Sequence, residues 1–136
     1  DNKVLIDQEG NESAFANRSD GLIISKLKQA NFKIVVISTE KNPIVKHRCN
    51  KLGVQCHYGI DNKLFELKKI CNEDKIDLKN VVFVGNDLND KEVMKVVGYP
   101  ICPSDAHEEI KNISSIILKT AGGDGILREL YNYFGD

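Results

Sequence analysis

Three short stretches carry the residue types from which a phosphoryl-transfer site is built. Ser38-Thr39-Glu40-Lys41 follows the apolar run at residues 34–37. Lys63 closes Gly59-Ile60-Asp61-Asn62-Lys63, which follows the segment at 54–58. Gly85-Asn86-Asp87-Leu88-Asn89-Asp90 follows the apolar run at 81–84. A hydroxyl and an ammonium hold the non-bridging oxygens of a phosphate, and hard oxygen ligands hold Mg²⁺, which neutralises the group as it is transferred. Each stretch also has a plainer reading. Ser38 can cap the turn that follows it, Lys63 can be a solvated residue in the first turn of a helix, and Asn and Asp are favoured at turns and N-caps for backbone reasons. The order hydroxyl, lysine, acids, each behind an apolar segment, is what favours the chemistry.

The elements that must position these residues follow from periodicity. Ile34-Val35-Val36-Ile37 and Val81-Val82-Phe83-Val84 are runs without alternation, the pattern of strands buried on both faces of a parallel sheet. Leu22, Ile23, Leu27 and Ala30 recur at helical spacing behind Ser19 or Asp20 as N-cap. A second helix carries Ile44, Val45, Cys49 and Leu52, opened by Asn42-Pro43 and closed by Gly53. Leu64, Leu67, Ile70 and Cys71 define a third, Val93, Met94 and Val97 a fourth ending at Gly98, and Ile126, Leu127, Leu130 and Phe134 a terminal one. Residues 54–58, 99–102 and 115–118 read as further strands. This alternation predicts an α/β fold, a doubly wound parallel sheet with right-handed crossovers and ligands beyond the carboxyl ends of its strands. Residues 3–7 and 13–17, separated by a turn with Gly10, predict a projecting N-terminal β-hairpin.

The chain has 136 residues, enough for one core and too few for two full domains. Nineteen basic against twenty acidic side chains give a net charge of −1, so no overall field collects nucleic acid or an anionic membrane. No apolar run approaches the ~20 residues of a membrane span. The opening Asp1-Asn2-Lys3-Val4 has neither an initiator Met nor an apolar signal region, which reads as a fragment or processed chain of the cytoplasm. Cys49, Cys56, Cys71 and Cys102 form no Cys-x-x-Cys pair and read as reduced thiols in apolar surroundings.

The order Ser38, Lys63, Gly85-Asn86-Asp87 with Asp90 resembles motifs II, III and IV of the haloacid dehalogenase superfamily. More closely, Asn17-Arg18-Ser19-Asp20-Gly21-Leu22, Ser38-Thr39-Glu40-Lys41-Asn42-Pro43, Pro103-Ser104-Asp105-Ala106-His107 and Gly122-Gly123-Asp124-Gly125 with Arg128-Glu129 resemble the 3-deoxy-manno-octulosonate 8-phosphate phosphatase branch. Within that branch the chain is most similar to the C-terminal module of N-acylneuraminate cytidylyltransferases and to sialic-acid 9-phosphate phosphatases. The resemblance implies that Ser38 binds the transferring phosphoryl group and Lys63 stabilises its charge. It implies that Asn86, Asp87 and Asp90 form the Mg²⁺ site, and that Arg18, Glu40, Lys41 and Arg48 are candidates to meet the phosphorylated acidic sugar. Arg48 can equally lie on a solvated helix face. The resemblance also implies a homotetramer joined through the hairpins, with the glycine-rich segment reaching a neighbouring site.

Two departures bear on activity. The family nucleophile belongs to an Asp-x-Asp motif on the first strand, and with residues 3–17 read as a hairpin this sequence opens where that stretch would finish. The motif is therefore expected upstream of Asp1, and the chain as written is expected to form no aspartyl-phosphate. Phosphatases of the branch carry an aspartate where Asn86 stands, so metal affinity is expected to fall, with Asp87 compensating as ligand and Asp90 orienting the shell. The reading is a single domain that hydrolyses a phosphomonoester of an eight- or nine-carbon acidic sugar. Its rival is a non-catalytic module that tetramerises a cytidylyltransferase.

Overall fold

The computed structural model describes residues 3–6, 19–122 and 125–134. The elements run β1 (Lys3–Ile6), α1 (Ser19–Gln29), β2 (Lys33–Ile37), α2 (Ile44–Leu52), β3 (Gln55–His57), α3 (Lys63–Asp74), β4 (Val81–Val84), α4 (Lys91–Met94), β5 (Tyr99–Cys102), α5 (Glu108–Ile113), β6 (Ile116–Ile117) and α6 (Ile126–Phe134). The strands form one parallel sheet in the order β3-β2-β1-β4-β5-β6. The chain winds outward in one direction from β1 to β3, then returns to the other side of β1 for β4 to β6. The crevice at that reversal is where an open α/β sheet takes its ligand.

Alternate strand residues feed two cores, as a strand covered on both faces requires. Ile34, Val36, Val82, Val84 and Ile101 join Ile23, Ile24, Leu27, Val45, Cys49, Ile126, Leu127 and Leu130 from α1, α2 and α6 on one face. Val35, Ile37, Val81, Phe83 and Cys102 join Leu67, Ile70, Val93, Met94 and Ile110 from α3, α4 and α5 on the other. The first helix differs from its sequence pattern at both ends: Leu22 is exposed while Ile24 is buried, and Ala30 lies exposed beyond the helix. Cys49, Cys71 and Cys102 are buried free thiols and Cys56 is half-buried.

Helix ends follow their sequence signals only in part: α2 closes at Gly53, but its N-cap is Pro43 and not Asn42, α1 already includes Ser19 and Asp20, and α4 ends at Met94, short of Gly98. Asn42 Oδ1 accepts the Ile44 N–H at 3.0 Å, and Gly53 adopts φ 69° just past α2. Gly98 is required by close approach, because a Cβ there would run into the backbone carbonyl of Lys79.

The N-terminal expectation is corrected. Lys3–Ile6 does not pair as an arm of a projecting hairpin. It fills the centre of the sheet, in parallel register with β2 (Ile6 opposite Val36) and β4 (Ile6 opposite Val84). The physical reason is that Val4-Leu5-Ile6 is an unbroken apolar triplet, which suits a strand covered on both faces, whereas a half-exposed hairpin arm requires alternation. The second arm, residues 13–17, lies outside the described residues.

Candidate active site

The site stands on the carboxyl edge of the sheet. Ser38 directly follows β2 and is fully buried. Its N–H donates to the His57 carbonyl at 2.9 Å, prolonging the β2–β3 ladder by one step, and its carbonyl accepts from Ile60 N–H at 2.9 Å. Its Oγ accepts the Glu40 N–H at 3.1 Å, so the hydroxyl does cap the following turn, yet its own proton remains a donor for a ligand oxygen. Glu40 is tied into the same loop: its carbonyl accepts from Gly59 N–H at 2.8 Å and its Oε1 from Asn42 N–H at 2.9 Å.

Lys63 is the first residue of α3, whose N-cap Asn62 accepts the Phe65 N–H at 3.0 Å. It is not a solvated lysine. It is 3% exposed, and its Nζ donates to Asp90 Oδ1 at 2.9 Å. Burial pulls its ammonium pKa below the ordinary value, opposed by the charge and hydrogen bond of Asp90 and by the charge of Asp87. An ammonium held in this way is a donor with little water to displace.

The loop after β4 explains the spacing of its acids. Asp87 caps the short 3-10 turn Leu88–Asp90, and Asp90 returns the bond in a capping box. Asp90 Oδ2 accepts the N–H groups of Asn86 (3.0 Å) and Asp87 (3.3 Å), while Oδ1 holds Lys63. Asp90 is fully buried, with Oδ1 on Lys63 and Oδ2 on two backbone N–H groups, so it ties Lys63 to the loop after β4. Gly85 permits this, since a Cβ there would stand 2.7 Å from the Asp90 Cβ and 2.8 Å from the Met94 sulfur.

Among the described residues Asn86 carries the one open feature: its Oδ1 is buried without a hydrogen-bond partner. An orphaned buried acceptor costs about 1–3 kcal/mol unless something meets it. It is a hard neutral oxygen, which fits one position of a Mg²⁺ shell. Among the described residues no three His, Cys, Asp or Glu side chains converge to hold a metal. Asn86 and, at the loop surface, Asp87 therefore fit a metal that takes its remaining ligands from substrate, water and groups outside those residues.

The structure brings Ser38, Glu40, Lys63, Asn86, Asp87 and Asp90 to one edge of the sheet. Lys41 is exposed in the loop after β2, Arg48 is half-buried in α2, and Arg18 lies outside the described residues. The buried Lys63–Asp90 pair is invisible to sequence reasoning because its members are 27 positions apart. No helix of the described residues is long and apolar enough to cross a membrane.

A crevice with a buried ammonium, a buried hydroxyl and an orphaned oxygen donor at the ends of parallel strands is that of an α/β domain built to hold a phosphoryl group. Residues 56–130 match the haloacid dehalogenase-like hydrolase family. The chain is 31% identical over 131 residues to 3-deoxy-D-manno-octulosonate 8-phosphate phosphatase KdsC of Salmonella typhi, covering 96% of this chain and 70% of that protein. The chain belongs to the haloacid dehalogenase-like hydrolases. It is also 29% identical over 133 residues to N-acylneuraminate cytidylyltransferase A of Danio rerio, covering 95% of this chain and 30% of that protein. Among solved structures, an HAD family protein of Streptomyces avermitilis superposes with TM-score 0.89 at 30% identity, covering 97% of this chain and 83% of that one. The Moraxella catarrhalis octulosonate 8-phosphate phosphatase, solved with magnesium, phosphate and the sugar, shares the fold at TM-score 0.83 and 24% identity, covering 94% of this chain and 82% of that one.

Proposed function

We propose that this domain acts on a phosphomonoester of an eight- or nine-carbon acidic sugar, with the phosphoryl group held at the carboxyl edge of β2 and β4. The observation that carries the reading is Lys63, a buried ammonium at that edge beside a serine hydroxyl. Ser38 donates its hydroxyl proton to a phosphoryl oxygen while its Oγ accepts the Glu40 N–H. Lys63 meets the charge that grows on the phosphoryl oxygens, and Asp90 keeps its ammonium in place. Asn86, with Asp87, holds Mg²⁺, which when bound offsets phosphate charge. Glu40, Lys41, Arg48 and Arg18 are the candidates for the sugar acid. The similarity to KdsC over 96% of the chain supports this substrate class.

Cleavage also needs a carboxylate nucleophile, and the sequence contains no Asp-x-Asp. With Lys3–Ile6 at the centre of the sheet, however, the residue that follows the first strand in sequence is Asp7, and Glu9 stands two positions further on. Asp7-Gln8-Glu9 thus follows the first described strand in sequence, as the Asp-x-Asp motif follows the first strand of the family. Asp7 is the candidate nucleophile and Glu9 the candidate acid and base, one methylene longer than the aspartate it replaces. A phosphate-release assay with a nonulosonate 9-phosphate and an octulosonate 8-phosphate tests this. Release by the 136-residue chain that disappears in Asp7→Asn is the expected result; release that survives Asp7→Asn contradicts the assignment.

A second reading is a non-catalytic oligomerisation module of an N-acylneuraminate cytidylyltransferase. It is favoured by the match to 30% of such a protein and by the neutral Asn86. Phosphate release at background from both sugar phosphates decides for it. A cytoplasmic homotetramer goes with either reading. Light scattering that finds a stable monomer at micromolar concentration counts against the tetramer.

A further inference from the structure

β3 is the edge strand of the sheet and only three residues long, with β2 as its one neighbour. It is a weak element from which to hang part of a binding site. Its last residue is nonetheless fastened on two sides. Gln55 Nε2–H donates to His57 Nε2 at 3.0 Å, which leaves the imidazole proton on Nδ1, and Nδ1–H donates to Glu66 Oε2 at 2.7 Å. The His57 and Glu66 side chains are 20% and 15% exposed, so water competes little for that bond. Glu66 stands in the first turn of α3, three residues beyond Lys63, and its N–H donates to the Asn62 carbonyl at 3.2 Å. The backbone of His57, in turn, accepts the Ser38 N–H.

We infer that His57 and Glu66 are positioning residues that set the spacing between Ser38 and Lys63. The inference rests on the phosphate-site reading above and assigns two residues that the motif pattern does not include. The connection is a continuous series of contacts. Ser38 hangs on the His57 backbone, the His57 ring is pinned to Glu66, Glu66 belongs to the turn that begins with Lys63, and Lys63 is bonded to Asp90, which holds the loop after β4. The imidazole–carboxylate bond adds a side-chain tie between β3 and the first turn of α3 to their chain connection through residues 58–62. Without that tie the hydroxyl and the ammonium can drift apart by more than a bound phosphate tolerates. The competing explanation is that Glu66 merely favours the helix start by its charge. Glutamine separates the two, because its Oε1 accepts Nδ1–H while carrying no charge.

The test is the affinity of the 136-residue chain for inorganic phosphate, measured by calorimetry with melting temperatures alongside. Glu66→Ala weakens phosphate binding about fivefold, the loss of one partly buried hydrogen bond. Glu66→Gln restores it to within about twofold, and ¹⁵N chemical shifts show His57 protonated at Nδ1 in the wild type. An unchanged affinity in Glu66→Ala overturns the inference, as does a Glu66→Gln protein as weak as Glu66→Ala. If Lys63→Ala leaves phosphate binding of the wild type unaltered, the phosphate-site reading itself has failed. The brace is then decided by the Ser38 amide resonance, which must shift and exchange faster in Glu66→Ala but not in Glu66→Gln; a stationary resonance overturns it.

Discussion

Replacing Lys63 by Met keeps the length and shape of the side chain and removes its charge, leaving Asp90 without its ion-pair partner among the described residues. Both side chains are essentially sealed from solvent, at 1% and 0% exposure. Breaking such a pair by removing one partner costs about 3–5 kcal/mol, because the remaining charge stays buried without compensation. Asp90 keeps the Asn86 and Asp87 N–H donors on its other oxygen, which puts the expected loss at the lower end, about 3 kcal/mol. For a domain of this size that lowers the melting temperature by about 10 °C. Urea unfolding of wild type, Lys63→Met, Asp90→Asn and the double variant gives the cycle. The double variant should be less destabilised than the sum of the single variants by about 1–3 kcal/mol, since the amide oxygen introduced by Asp90→Asn still accepts from the loop N–H groups without stranding a charge. A Lys63→Met loss under about 1 kcal/mol, the value of an exposed pair, refutes the assignment of Lys63 as a buried, Asp90-bound ammonium.

Asn86→Asp adds a full negative charge at the orphaned oxygen and should tighten Mg²⁺ binding about tenfold by calorimetry; unchanged affinity shows that Asn86 is no ligand and leaves Asp87 as the better candidate. Gly85→Ala forces a Cβ against Asp90 and Met94 and should destabilise the chain by about 1–3 kcal/mol in urea, with phosphate binding weakened as well. The Glu129 carboxylate accepts the Lys119 and Thr120 N–H groups at 3.0 and 2.9 Å. Burial raises its pKa, but these bonds and the nearby Lys119 charge outweigh that and hold it below the usual 4.5. Its contribution to stability is thus fully present above 4.5 and lost as pH falls through the depressed value; melting curves of wild type and Glu129→Gln should converge on that descent.

What the sequence discloses is what is local. The apolar runs of β2 and β4 have no alternative but a doubly covered strand, and Asn42-Pro43 with Gly53 encloses α2 because cap chemistry acts within a few residues. Ser38 and Lys63 can be named from their order behind strands, but their burial cannot, since it depends on elements packed from elsewhere in the chain. Asp90 reads as a ligand because its type allows it; only the fold reveals that it also holds Lys63 and two backbone amides. The role of Lys3–Ile6 is hidden because a short β-rich segment beside a turn glycine fits a hairpin locally, whereas the centre of a parallel sheet is a long-range choice. α5 is faint in the pattern with Ile110 as its one buried residue, although His107 as cap and Glu108-Glu109 in the first turn signal its start.

The most direct test of a phosphate site at the carboxyl edge of β2 and β4 is an amide NMR titration of the chain with inorganic phosphate in the presence of Mg²⁺. The expected shifts gather at Ser38, Glu40, Lys63, Gly85 and Asn86 and disappear in Lys63→Met. Shifts confined to another surface, such as the groove of about 510 Å³ lined by Lys119, Arg128 and Tyr133, or shifts that survive Lys63→Met unchanged, contradict the account.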